Sequence, residues 1–165
     1  MDFLEFLVSA KRRTYATSGN GAGERLADGG RRFTYAEGDL VYRDTYYGID
    51  AFGGQELVFR DTIPIWLMNY WGKTLIPPWL TLCAEDIYAF LRKALARVEK
   101  RRPCRGPSSF MEGRFHYLDL IVESPRFFQQ HAGQEQIVFQ SGRGEVKVYE
   151  LFYHGGPLDT FRLSE

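Results

Sequence analysis

No stretch of this chain approaches 18 consecutive apolar residues, so the sequence predicts no membrane-spanning helix. Cysteine is scarce: Cys83 and Cys104 cannot make a disulfide framework in 165 residues, and a reduced thiol pair is expected. Neither sign of charge is in excess, since Lys plus Arg and Asp plus Glu each number 21. That balance removes the electrostatic case for nucleic acid or an anionic membrane as a partner. The basic clusters Lys11-Arg12-Arg13, Arg31-Arg32 and Lys100-Arg101-Arg102 read as solvated ends of elements. The three histidines, His116, His131 and His154, lack metal-ligand spacing, and the cysteines form no C-x-x-C pair, so neither metal nor cofactor is expected. No G-x-S-x-G elbow is present, and catalysis has no positive signature. Asp2 and Glu5 interrupt the first apolar run and no basic segment precedes it, so no signal peptide is read and a soluble cytoplasmic protein is expected.

Aromatic residues are plentiful, at 16%, more than a core alone requires. Each buried ring removes about 150–250 Å² from water, and further Tyr and Trp often line pockets or interfaces. A chain of this length buries about 70% of its unfolded surface, so residues 1–165 are read as one domain.

The chain says one thing twice. Residues 38–72 and 113–155 share three landmarks in the same order. Gly38-x-x-x-Tyr42-x-Asp44 answers to Gly113-x-x-x-Tyr117-x-Asp119. Gly54-Gln55-Glu56 answers to Gly133-Gln134-Glu135, and Tyr70-x-Gly72 to Tyr153-x-Gly155, with Trp66 opposite Tyr149. Period-2 alternation places strands over 40–47, 55–60 and 63–71 in the first copy, and near 114–123, 134–140 and 145–154 in the second. Helices are expected near 2–13, with Asp2 as N-cap, and near 81–100, where Cys83, Ile87, Phe90, Leu91, Ala94, Leu95 and Val98 form one stripe. Residues 17–32 read as a loop whose Gly19-x-Gly21-x-Gly23 is too incomplete for a phosphate loop, and 101–112 as an irregular linker. The expected class is α+β, arranged α–βββ–α–βββ: two pseudo-repeated antiparallel meanders packed with two helices.

Comparing the copies separates scaffold from candidate function. The face bearing Trp66, Met68 and Tyr70 is kept in the second copy as Tyr149, Leu151 and Tyr153, which marks core. Asp44 and Asp119 share a face with aromatics, where a carboxylate is costly unless hydrogen-bonded; each is expected to bind a tyrosine hydroxyl, cap a turn or face a pocket. Polar residues present in one copy only, Asn69, Trp71, Glu150 and His154 on the opposite face, are the better candidates for chemistry. A pocket would be lined by Asp44, Tyr46, Trp66, Asn69, Tyr70 or Trp71 and reached by Arg105, Glu150 or His154.

The N-terminal Phe6-Leu7-Val8-Ser9-Ala10-Lys11-Arg12-Arg13-Thr14-Tyr15-Ala16 and Tyr42-Arg43-Asp44-Thr45-Tyr46 together resemble a prokaryotic domain family of unknown function. Phe52-Gly53-Gly54-Gln55-Glu56, the run Pro64 to Gly72, Arg105-Gly106-Pro107 and Tyr153-His154-Gly155-Gly156 extend the resemblance over nearly the whole chain. Members of that family stand alone or follow a lambda-repressor-like helix-turn-helix in regulators, and this chain resembles the stand-alone form. The resemblance implies no catalytic residue. The expected function is a non-catalytic, regulatory ligand- or partner-binding module for a small molecule or protein, compatible with a homodimer. A carboxylate, Tyr and His enzyme of hydrolase or isomerase type, and a toxin–antitoxin-like interaction protein, are the alternatives.

Overall fold

The computed structural model describes residues 2–16, 23–122 and 130–160. Helix α1 (Phe3–Arg13) starts where the Asp2 side chain accepts from the Leu4 amide at 3.2 Å, and Lys11, Arg12 and Arg13 face its negative end. Strands β1 (Glu24–Arg25), β2 (Arg31–Glu37), β3 (Leu40–Gly48), β4 (Ala51–Arg60) and β5 (Ile63–Thr74) follow. Helix α2 (Ala84–Leu95) then precedes β6 (Ser109–Glu112), β7 (Phe115–Ile121), β8 (His131–Ser141) and β9 (Gly144–Pro157).

The nine strands form one antiparallel sheet in the order β1-β2-β3-β4-β5-β9-β8-β7-β6. The class is therefore α+β, but the α–βββ–α–βββ arrangement needs correcting. Four strands, not three, follow each helix, apart from the two-residue β1. The extra strands β2 and β6 end at Gly38 and Gly113, whose φ values of 63° and 59° suit tight hairpin turns. Helix α2 is shorter than expected because the chain tightens after Leu95, where the amides of Arg97 and Val98 reach back only three residues. The loop reading of 101–112 gives way to β6 at its end, and Gly19 and Gly21 lie outside the described residues.

At the centre, β5 and β9 pair so that Tyr70 stands directly opposite Tyr153. Each is the other's counterpart, so a pseudo-twofold axis passes between them. The register puts Gly72 opposite Leu151 and Gly155 opposite Met68. A Cβ at Gly72 would come within 2.7 Å of the Glu150 carbonyl oxygen, and one at Gly155 within 2.1 Å of that of Leu67. The Tyr-x-Gly motif thus serves the close approach of the two central strands.

Alternation sends Tyr42, Asp44, Glu56, Val58, Trp66, Met68 and Tyr70 to one face, with Tyr117, Asp119, Glu135, Ile137, Tyr149, Leu151 and Tyr153. The helices cover this face. Phe3 meets Trp66 at 6.4 Å between ring centres, and Phe90 stacks on Phe110 and Phe115 at 5.4 and 5.0 Å. Fully burying a side chain of this size contributes about 1.5–3 kcal/mol, and Phe6, Leu7, Ile87 and Leu91 are all buried here. No helix among the described residues is long and apolar enough to cross a membrane.

Candidate functional site

Between the helices and the first half of the sheet lies a cavity of about 550 Å³, in the range of small-molecule sites. Its walls are aromatic and aliphatic: Tyr15, Tyr46, Phe52, Tyr88, Leu91 and Tyr149. Phe52 is the hub of one wall, with its ring 6.2–6.4 Å from Tyr70, Tyr88 and Tyr149. Tyr88 is fixed by donating to the Ile49 carbonyl at 2.5 Å.

The floor is polar and charged. Asp44 and Glu56 are cross-strand neighbours on β3 and β4, and both are buried. Asp44 accepts from the Tyr70 hydroxyl at 2.7 Å. Glu56 pairs with Lys11 from α1, whose ammonium also donates to the Cys104 carbonyl at 2.7 Å. Arg105 enters from beyond α2, donating to Glu135 through Nε at 2.9 Å and Nη2 at 2.5 Å, with Nη1 3.9 Å from Glu56. Glu135 also accepts from Tyr117 at 2.7 Å and Tyr149 at 2.8 Å. Such two-pronged guanidinium–carboxylate pairs hold both geometry and charge.

Burial first, and the neighbouring Glu56 second, push the Asp44 carboxyl up to about 7. Burial also drives the hydroxyls of Tyr42, Tyr70, Tyr117 and Tyr149 well above their ordinary range, so they remain neutral donors. Burial opposes the charge on Arg105, but Glu135 outweighs it and the guanidinium stays protonated. The Cys104 thiol on the cavity wall is pushed up by burial to about 12, which leaves no reactive thiolate at neutral pH. Among the described residues no group of three or more His, Cys, Asp and Glu side chains is arranged to hold a metal.

A glycine makes the Asp44–Tyr70 bond geometrically possible. The Tyr70 ring crosses β4 over Gly54, where a Cβ would stand 2.5 Å from the hydroxyl. In the second half Tyr153 crosses Gly133 the same way, 2.4 Å from a virtual Cβ, and donates to Asp119 at 2.9 Å. The repeated Tyr, Asp, Gly-Gln-Glu and Tyr-x-Gly landmarks therefore converge in space as two copies of one hydrogen-bonded cluster.

Of the residues singled out in the sequence, Asp44, Tyr46, Tyr70 and Arg105 line the cavity. Trp66 lies in the core on the same face, stacked on His131 at 5.5 Å. Asn69, Trp71, Glu150 and His154 lie on the opposite face of the sheet. There Asn69 accepts from Gln55 at 2.9 Å and stands opposite His154, Trp71 stands half-exposed opposite Phe152, and Glu150 pairs with Lys147 at 2.6 Å. Cavity residues that were not among the candidates include Lys11, Tyr15, Phe52, Glu56, Tyr88 and Tyr149. Glu56 carried a signal, being a repeated acid on the strand between the repeated tyrosines Tyr42 and Tyr70. Lys11 and Tyr15 belong to the N-terminal motif of the resemblance but carried no sign of a site, since only the docking of α1 brings them to the floor and wall.

No curated protein and no solved structure is significantly similar to the chain. A family model described as a domain of unknown function matches residues 44–158, which take in Asp44, Glu56, Tyr70 and Arg105 and leave α1 with Lys11 outside. With more than half its length matched, the chain belongs to the DUF5680 family, a domain of unknown function.

Proposed function

We propose that this chain is a small-molecule-binding module whose ligand enters the cavity between α1, α2 and the first half of the sheet. The observation that carries the proposal is the cavity itself: about 550 Å³, with aromatic walls and a few converging polar groups. An apolar or ring-bearing body suits the walls, and a hydrogen-bonding end suits Asp44 and Tyr70 on the floor. A regulatory, non-catalytic use in the cytoplasm is part of the proposal, supported by the resemblance to domains attached to helix-turn-helix regulators.

A thermal-shift screen of a broad metabolite and fragment library tests it, because ligand at 100 times its Kd adds about 2.7 kcal/mol of stability. Hits are expected for the native chain and should vanish in Ala16→Phe, which places a ring in the cavity from its wall. Silence across the library, or hits that Ala16→Phe leaves unchanged, would overturn the proposal. A second reading, an acid–base enzyme, is favoured by one observation: Asp44 titrates near neutrality within reach of Tyr70. It requires that a bound hit be chemically converted and that Asp44→Asn stop the conversion.

A further inference from the structure

The two halves of the sheet contain the same buried acids, so each half is a control for the other. Asp44 stands directly opposite Glu56 across β3 and β4, as Asp119 stands directly opposite Glu135 across β7 and β8. All four carboxylates are buried. Lys11 pairs with Glu56, Arg105 with Glu135, and Arg102 with Asp119. The Arg102 pairing is a doubled one: Nη2 donates to the Asp119 carboxylate and to its backbone carbonyl, both at 2.9 Å. Asp44 accepts from Tyr70, as Asp119 does from Tyr153, but no basic side chain pairs with it among the described residues. Where Asp119 meets Arg102, Asp44 meets the cavity.

Resting on the ligand-binding reading above, we propose that the cavity takes a ligand carrying a guanidinium, amidinium or ammonium group, seated on Asp44 as Arg102 is seated on Asp119. The ligand supplies the fourth cation of a set of which the chain itself supplies three. Tyr15, Tyr46, Phe52 and Tyr88 line the same cavity, and aromatic rings accommodate cations as well as apolar bodies. The charges facing Asp44 are Glu56, Lys11 and Arg105, with Tyr70 as its hydrogen-bond donor. Lys11 and Arg105 are committed to Glu56 and Glu135. Arg25 and Arg31 also line the cavity, but Arg25 is exposed and Arg31 only half-buried, so solvent screens them more than it does Lys11 and Arg105. Seating a cation favours the ionised form of Asp44, so binding near neutral pH releases a proton.

The test is calorimetric titration of the full chain with three probes of one shape: benzamidine, uncharged benzamide and anionic benzoate. Benzamidine is expected to bind about tenfold or more tightly than benzamide, with benzoate weaker still, and the gap should close in Asp44→Asn. Independently of any variant, repeating the benzamidine titration in buffers of different ionisation enthalpy should show proton release at pH 6.5. Equal affinity for benzamidine and benzamide, a preference for benzoate, or no proton release overturns the cation assignment. If benzamide or benzoate binds and Ala16→Phe blocks it, the cavity still binds ligands and only the cation assignment falls. If no probe binds while library hits do, the same holds; if nothing binds, both fall.

Discussion

Two aspartates in equivalent places, Asp44 and Asp119, show how environment rather than identity sets a residue's role. Each accepts a tyrosine hydroxyl, yet Arg102 neutralises Asp119 while Asp44 faces a cavity. The Asp44 carboxyl is pushed up to about 7, chiefly by burial, against an unfolded value of about 3.9. Between those values the folded chain holds a proton that the unfolded chain has lost, so this group makes stability fall as pH rises. Asp44→Asn cannot titrate, and its stability relative to the native chain is expected to rise by about 1–3 kcal/mol between pH 4.5 and 8. Urea unfolding of both proteins across that range reads the difference, in which Asp119 (pushed up to about 6) and His131 (held down to about 4) cancel. Parallel curves would refute the assignment. At this scale the sequence showed that Asp44 must find a tyrosine hydroxyl, a turn or a pocket. It could not show that one copy's acid would meet an arginine from beyond α2 and the other a void, because that depends on where 96–108 packs.

The strands carry their own evidence of purpose. Gly54 and Gly133 give a tyrosine ring room to cross a neighbouring strand, but their surroundings differ. A Cβ on Gly54 would press on the Tyr70 ring and on the Thr45 carbonyl oxygen at 2.6 Å, whereas the three atoms nearest to one on Gly133 all belong to the Tyr153 side chain. A ring can shift more readily than backbone. Both alanine variants should destabilise the fold by about 1–3 kcal/mol, with Gly54→Ala the costlier. Chemical unfolding ranks them, and a smaller loss at Gly54 would show that the ring crossing is misjudged. Six of the strands and both helices were legible from alternation and apolar stripes. Strands β1, β2 and β6 were not, because they lie at or next to the sheet edges and bury little. Arg31–Glu37 contributes one buried side chain, Phe33, and Ser109–Glu112 none, which leaves little pattern to read. The preference for Asn69, Trp71, Glu150 and His154 followed from alternation, which separates two faces without showing that a cavity is cut into the apolar one.

Seen whole, the molecule is two runs of neighbouring hairpins that meet along β5 and β9. Pairings within each run join residues close in sequence, whereas Tyr70 and Tyr153 are separated by α2 and three strands. Closing so long a loop costs more entropy than closing a hairpin, so the runs are expected to form first and the central seam last. Pulse-labelling hydrogen exchange during refolding should find the amides of the β3–β4 hairpin protected before those of the β5–β9 seam. Simultaneous or reversed protection would contradict that order. The seam has a consequence for timing. The cavity draws Asp44, Glu56 and Tyr70 from one run and Arg105, Tyr149 and Leu151 from beyond α2, so it exists only once the seam has closed. A ligand there has nothing to hold while the chain folds and everything to hold once it has. It would act as a brake on unfolding, lengthening the lifetime of the native chain without hastening its birth.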